Sequence, residues 1–262
     1  MSDALTPHAR HLITHAEHPV AAPLAEASVD AVLAHALGRG RAAPRLLDLG
    51  CGQAAWPLRA LAGRPDATAV GVDLNAGALE WARTEADRRG VGERLELVAA
   101  DAGAYGGEEA GFDAVLCVGS THAFGGLEET LAAAGRQVAP GGTLVAGEGF
   151  WEREPTPAAL GGLGAVPSDF ADLAGTVDRC LAAGWTPVHG HVSSAEEWDA
   201  YEWAWTGSLA SWALDHPDHP AAAEAAAEAA EHRTRWLGGY RGVLGFVTLV
   251  LRAWGPQLRT GG

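Results

Sequence analysis

Five apolar runs of strand length alternate with helical patterns between residues 45 and 146, and this alternation limits the possible folds more than any other feature of the chain. Arg45–Leu49 reads as a buried strand ending in the turn Gly50-Cys51-Gly52, and Ala54–Ala62 follows as a helix. Ala67–Val72 is a second strand, Ala76–Arg89 a second helix stopped by Gly90, and Leu95–Ala100 a third strand. Phe112–Val118 is a fourth strand, Leu127–Val138 a helix closed by the Pro140-Gly141-Gly142 turn, and Thr143–Ala146 a fifth strand. Strands that are apolar along nearly their whole length cannot leave one face in water. The pattern therefore predicts a parallel sheet covered by helices on both sides.

The second half is less regular. Glu152–Pro167 holds Pro155, Pro157, Pro167 and several glycines, and reads as a loop or lid. Ser168–Ala183 has a helical period with Ser168 at the N-cap, and Trp185–Val192 reads as a strand. Ala195–Ala213 is an aromatic-rich helix broken by Asp215–Pro220. Ala221–Trp236 is an Ala/Glu helix, expected on the solvated surface, with Glu228–His232 and Glu231–Arg235 spaced to pair at i,i+4. Gly242–Ala253 is the last strand, ended by Gly255-Pro256.

Composition removes several functions. All 18 Lys+Arg positions are arginine, so lysine Schiff-base chemistry and a GxxxxGKS phosphate loop are excluded. A net charge of −15 with no arginine run speaks against nucleic acid and against an anionic membrane surface. Cys51, Cys117 and Cys180 lie far apart without a CxxC pair, so neither a disulfide framework nor a zinc site is indicated, and no metal is expected. Met1–Arg10 is polar, carries Asp3 and has no apolar core behind it, and no stretch reaches about 18 uninterrupted apolar residues. The expectation is a cytoplasmic protein, monomeric or homodimeric.

In an open α/β sheet, ligands sit outside the carboxyl ends of the strands. Asp48 lies within the end of the first strand, Asp73 ends the second and Asp101 the third. Gly50 and Gly52 stand where the chain must turn tightly and approach a ligand. Asp73 is placed to accept the ribose hydroxyls of an adenosine. Gly50, Gly52 and Ala55 also satisfy the dinucleotide pattern GxGxxA, so an NAD-type oxidoreductase is a rival. Against it, Asp48 would repel a pyrophosphate but suits a cationic amino acid moiety. Asp101 also has no duty toward NAD, yet stands where an adenine amino group could donate to it.

These segments resemble the class I S-adenosylmethionine-dependent methyltransferases. The resemblance rests on LLDLGCGQAAW (Leu46–Trp56), AVGVDL (Ala69–Leu74), LVAADA (Leu97–Ala102), FDAVLCVGSTHAF (Phe112–Phe124) and LAAAGRQVAPGGTLVAGEGFW (Leu131–Trp151). It implies a seven-stranded, mostly parallel, doubly wound (Rossmann-like) sheet with a helical insertion between the last two strands. The implied organisation is an N-terminal helical cap over residues 1–43 and a methyltransferase domain over 44–262, with a lid at 150–168 and an acceptor-pocket insertion at 195–237. By the same resemblance, S-adenosyl-L-methionine is the cofactor. Gly50 and Gly52 pass its methionine part, Asp48 holds its ammonium through water, Asp73 binds its ribose and Leu74 packs on adenine. Asp101 and the Ala102 N–H meet the adenine edge, and Gly119 offers its carbonyl to the ammonium. The family's third glycine is Ala54 here, a small residue the loop should tolerate. For each aspartate the alternative is a helix N-cap after its strand. A non-catalytic S-adenosylmethionine sensor is a further alternative to the enzyme.

Methyl transfer is an in-line displacement that depends on alignment and water exclusion, and a base helps only when the acceptor must lose a proton. His122, after the fourth strand, is the candidate base, and the alternative is a loop histidine bonded to backbone. Glu148 and Trp151 are placed just past strand five, where a carboxylate and an indole could hold an amine, or could equally belong to a strand end and a core. Trp198, Tyr201, Trp205 and Trp212 make one helix face aromatic, with Trp205 as candidate pocket lining. His8, His11, His15 and His18 would share one side of a helix. They read first as a solvated face, then, through His15 and His18, as lining for a small-molecule acceptor, and last as a metal site.

Overall fold

The computed structural model describes residues 4–38 and 42–254, so Asp3 and the Gly255-Pro256 stop lie outside the described residues. In chain order the elements are α1 (Pro7–Thr14), α2 (Glu26–Leu37), β1 (Arg45–Leu49), α3 (Ala55–Gly63), β2 (Thr68–Asp73), α4 (Ala76–Arg88) and β3 (Leu95–Ala99). There follow β4 (Phe112–Val118), α5 (Leu127–Gly135), β5 (Val138–Trp151), α6 (Pro157–Leu163), α7 (Leu173–Ala182), β6 (Trp185–Val192), α8 (Ala195–Asp215), α9 (Ala222–Arg235) and β7 (Leu244–Ala253). The strands join in one seven-stranded sheet of order β3-β2-β1-β4-β5-β7-β6. β1 pairs in parallel with β2 and β4, β2 with β3 and β4 with β5, while β6 and β7 are antiparallel.

The chain divides into two compact units. Of the described residues, the sheet unit comprises 25–38, 42–148, 174–192 and 246–254. Its central strands carry Leu46, Leu47, Leu49, Ala114, Val115 and Leu116, each buried to within 1% of full. At about 25 cal/mol per Å² of apolar area, each such leucine side chain stabilises the fold by roughly 1.5–3 kcal/mol. α2 belongs to this unit, where Thr143 Oγ1 donates to the Ala36 carbonyl at 3.0 Å. The second unit gathers the residues up to Leu24, then 149–173 and 193–245. Residues 149–173 and 193–245 thus share one core, in which Trp151, Ala159, Trp236 and Tyr240 cluster, while Leu5 and Ile13 pack on a second cluster around Leu209 and Ala225.

Four expectations need correction. Thr143–Ala146 is only the middle of β5, which begins before the Pro-Gly-Gly sequence and absorbs it as an irregularity between the Phe112–Val138 and Ala114–Thr143 pairs. Glu152–Pro167 is not an open loop. Thr156 caps α6 by accepting from the Ala159 N–H at 3.1 Å, Pro157 opens the helix, and Gly164 in the left-handed region closes it. Ser168 caps nothing, because it falls in a 3-10 turn (Pro167–Asp169) and the helix starts only at Leu173. α9 is not solvated all round: Ala225 and Ala229 are buried against Leu209 and Ala213 of α8.

Candidate functional site

The register of the parallel strands brings their carboxyl ends level. Leu49 pairs with Val72, Val72 with Val98, and Val118 with Gly147. β1 to β4 therefore end within a residue or two of one another, while β5 runs on to Trp151. The turn after β1 is anchored to β2, since the Gly50 and Cys51 N–H groups both donate to the Val72 carbonyl, at 2.9 and 3.0 Å. The Asp73 carboxylate accepts the Gly52 N–H at 2.7 Å through Oδ2 and the Asn75 N–H at 2.8 Å through Oδ1. Asp73 is thus not the helix cap. Asn75 is, through its contact with the Ala78 N–H. Gly50 adopts φ +78°, and a Cβ there would fall 2.5 Å from the Cβ and Oγ of Ser120. Ala54, the substituted glycine, is fully buried and holds φ +55°. That conformation costs an alanine roughly 1–2 kcal/mol, which the surrounding contacts must offset.

Asp48 is 2% exposed, and its Oδ2 is buried without a hydrogen-bond partner. Burial pushes its carboxyl up to about 8, and the charge of Asp73 adds to the shift. A carboxylate so placed is the group one expects where a cation from outside the chain completes the pairing. Gln53 in the same turn is also buried, with an unpaired Oε1. Neither Gln53 nor Ser120 stood out in the sequence, because short polar side chains in turns are ordinarily solvated.

The other cofactor candidates lie at the same end. Leu74 is 73% exposed, an unusual state for a leucine next to a buried strand. Asp101 is exposed and caps a short 3-10 turn, its Oδ1 accepting the Gly103 N–H at 2.9 Å. Ala102 beside it is buried. Gly119 is exposed, and its N–H reaches the Gly147 carbonyl at 3.2 Å. His122 is exposed on the turn Thr121–Phe124 after β4. Glu148 is half-buried within β5, not beyond it as expected. A shallow cleft lined by Ala36, Pro44, Asp113 and Gly142 opens at the opposite, amino end of the strands, away from these groups.

In the second unit both candidate indoles make packing contacts. Trp151, also inside β5, is 7% exposed, donates its indole N–H to the Pro167 carbonyl at 2.9 Å and meets Phe170 edge-on. Trp205 belongs to a different cluster and stacks on His232 at 4.0 Å. The four histidines do not share a helix face, because α1 ends at Thr14: His15 caps it and His18 lies beyond. His11 and His15 stack at 4.3 Å, while the His15 and His18 rings lie 6.2 and 5.4 Å from Tyr201. The buried face of α8 is Glu202, Thr206, Leu209 and Ala213. Glu202 accepts from the Tyr240 hydroxyl at 2.7 Å and pairs with His232 Nε2 at 2.8 Å. His232 is therefore held by Glu202 instead of Glu228, which pairs with Arg10 at 3.2 Å. An acid at the spacing of an apolar face was the one sequence signal for this buried group.

The methyltransferase-domain family matches residues 46–142, which span β1 through the first part of β5. The uncharacterized protein YjhP of Escherichia coli K12 is 32% identical over 82% of this chain and 86% of its own length. A solved S-adenosylmethionine-dependent methyltransferase from Geobacter sulfurreducens, in complex with S-adenosyl-L-homocysteine, superposes with a TM-score of 0.86. The two are 25% identical, over 97% of this chain and all of that one. A methyltransferase from Thiobacillus denitrificans, also holding S-adenosyl-L-homocysteine, gives 0.85 at 26% identity, covering 96% of this chain and all of its own.

Proposed function

Because the chain belongs to the class I S-adenosylmethionine-dependent methyltransferases, we propose that its sheet unit holds the cofactor at the carboxyl ends of β1 to β4 and its second unit selects a small-molecule methyl acceptor. The chain is a methyltransferase and its cofactor is S-adenosyl-L-methionine, which sets the NAD and sensor alternatives aside. When bound, the cofactor supplies a methyl group on a sulfonium.

The residues present fit that molecule. The observation that carries the assignment is the buried, unpaired Oδ2 of Asp48, which matches the cofactor's ammonium. Asp73 already orders the turn through Gly52 and presents the remaining capacity of its carboxylate to the ribose. The uncovered Leu74 side chain offers an apolar surface for adenine, and Asp101 with the Ala102 N–H reads the adenine edge. The Gly119 carbonyl accepts from the same ammonium as Asp48. In this reading His122 takes the acceptor proton where one must leave, and Glu148 orients the acceptor. The acidic balance of −15 and the lack of an arginine run favour a small acceptor over nucleic acid. Among the described residues no helix is long and apolar enough to cross a membrane.

Calorimetry with S-adenosylmethionine and with NAD tests the site, since only the first should bind. Formation of S-adenosylhomocysteine from a fractionated metabolite extract tests the acceptor class. Activity confined to tRNA or DNA would overturn it.

A further inference from the structure

The main chain locks the imidazoles of His15 and His18 into one tautomer each. Only an N–H can donate to a carbonyl. His15 Nδ1, 3.1 Å from the His11 carbonyl, therefore carries a hydrogen, and so does His18 Nδ1, 2.7 Å from the Val20 carbonyl. Thr14 Oγ1 donates to the Arg10 and His11 carbonyls, which leaves it an acceptor toward His15 Nδ1 at 3.0 Å. In each neutral ring the lone pair is then on Nε2. Burial, with His11 and His18 close by, holds His15 down at about 4, so this ring is neutral at pH 7. Both rings lie against Tyr201, whose phenol burial and Glu202 keep protonated.

Glu202 follows Tyr201 in α8 and is buried. Arg10 is engaged with Glu224 and Glu228, and Arg241 with Asp199. A carboxylate or phosphate would meet the two imidazole lone pairs. A primary amine brings two N–H donors that these nitrogens can accept, and its partial positive charge is favoured by Glu202.

Resting on the reading of the second unit as the acceptor-selecting part, we propose that His15, His18 and Tyr201 recognise a neutral primary amine as the methyl acceptor, with the two imidazoles accepting its two N–H groups at Nε2 and its own lone pair left free to take the methyl group. The test uses the full chain, labelled with 15N-histidine and loaded with S-adenosylhomocysteine. Benzylamine and benzoate serve as probes of one skeleton and opposite charge. Long-range 1H–15N spectra should show the hydrogen on Nδ1 of both residues, and benzylamine alone should shift their Nε2 resonances. His18→Phe, which keeps a ring but removes the acceptor, should weaken benzylamine at least tenfold. Tyr201→Phe, which keeps packing and removes the hydroxyl, should weaken it severalfold if the first variant does not fold. Benzoate binding as tightly as benzylamine, silence of both Nε2 resonances with benzylamine, or hydrogens on Nε2 would each overturn the proposal. Failure of S-adenosylhomocysteine itself to bind would instead overturn the cofactor reading beneath it.

Discussion

The Ser120 hydroxyl donates to the Leu49 carbonyl at 2.7 Å, tying the loop after β4 to the last residue of β1. Ser120 is 8% exposed, and the same oxygen lies 3.2 Å from Cys117 Sγ. It sits where any side chain at position 50 would have to go. The contact therefore fixes the path of the turn that the Asp73 carboxylate holds from its other side.

Removing that hydroxyl should loosen the turn without opening the core. Ser120→Ala is expected to lower S-adenosylmethionine affinity about 3- to 10-fold, the worth of roughly one buried hydrogen bond. Gly50→Ala combines a positive φ with a Cβ 2.5 Å from Ser120 and should cost more, at least about 2 kcal/mol of stability. Calorimetric Kd and thermal unfolding of both variants are the measurements. Wild-type affinity in Ser120→Ala would show that the turn holds itself.

Asp73→Ala should weaken S-adenosylmethionine binding at least tenfold in a protein that still folds. Charge-assisted hydrogen bonds of about 1.5–3 kcal/mol would be lost to the ribose, and the Gly52 and Asn75 N–H groups would be released as well. Unchanged affinity in a folded variant would move the site elsewhere.

Asp48 makes the free enzyme sensitive to pH in an unusual direction. Its folded value of about 8 lies above the ordinary carboxylate value, so the folded state binds the proton more tightly than the unfolded chain. Stability should therefore fall as pH rises from about 4 to about 8, by at most about 1.4 kcal/mol per unit. Asp48→Asn should flatten this slope in urea titrations of the ligand-free protein. Cofactor binding at pH 7 should release a proton, measurable by calorimetry in buffers of different ionisation enthalpy. A wild-type slope equal to that of Asp48→Asn would refute the assignment.

Hydrogen exchange should find α6 protected whether or not ligand is present. Ala159 is fully buried in the cluster with Trp236 and Tyr240, and a Cβ on Gly239 would fall 2.8 Å from the Ala158 carbonyl oxygen. Close packing of this kind favours a closed helix. Strong protection of residues 157–163 appearing only with S-adenosylhomocysteine and acceptor would support the lid reading instead.

Glu202→Ala should destabilise the second unit by about 3–5 kcal/mol, since the Tyr240 hydroxyl and His232 would lose their buried partner. Thermal unfolding with a near-ultraviolet tryptophan signal reports it. A loss under about 1 kcal/mol would mean that water replaces the carboxylate.

The strands β1 to β4 were legible because what makes them strands is local. A near-continuous apolar run, ended by glycine or aspartate, is written within five to seven residues, in the edge strand β3 as in the buried β1, β2 and β4. Asp48, Asp73 and Asp101 could be placed at one edge for the same reason, since parallel strands of similar length end level. The expectation failed where neighbours distant in sequence decide. Pro140-Gly141-Gly142 reads as a stop, yet β5 continues through it because β4 supplies the pairing on either side of the irregularity. Proline and glycine at 155–164 read as a loop, yet they cap and pack a helix once Trp236 and Tyr240 cover it. Trp151 read equally as a ligand-holding indole or as part of a core, and only the fold showed its N–H committed to Pro167. The Ser120–Leu49 bond spans 71 residues and the Glu202–Tyr240 bond 38. A hydrogen bond between positions so far apart leaves no period or spacing in the sequence. Sequence alone determined the sheet and its acidic edge. Which buried polar groups have partners, and which one is left to meet a ligand, was decided only when the chain closed on itself.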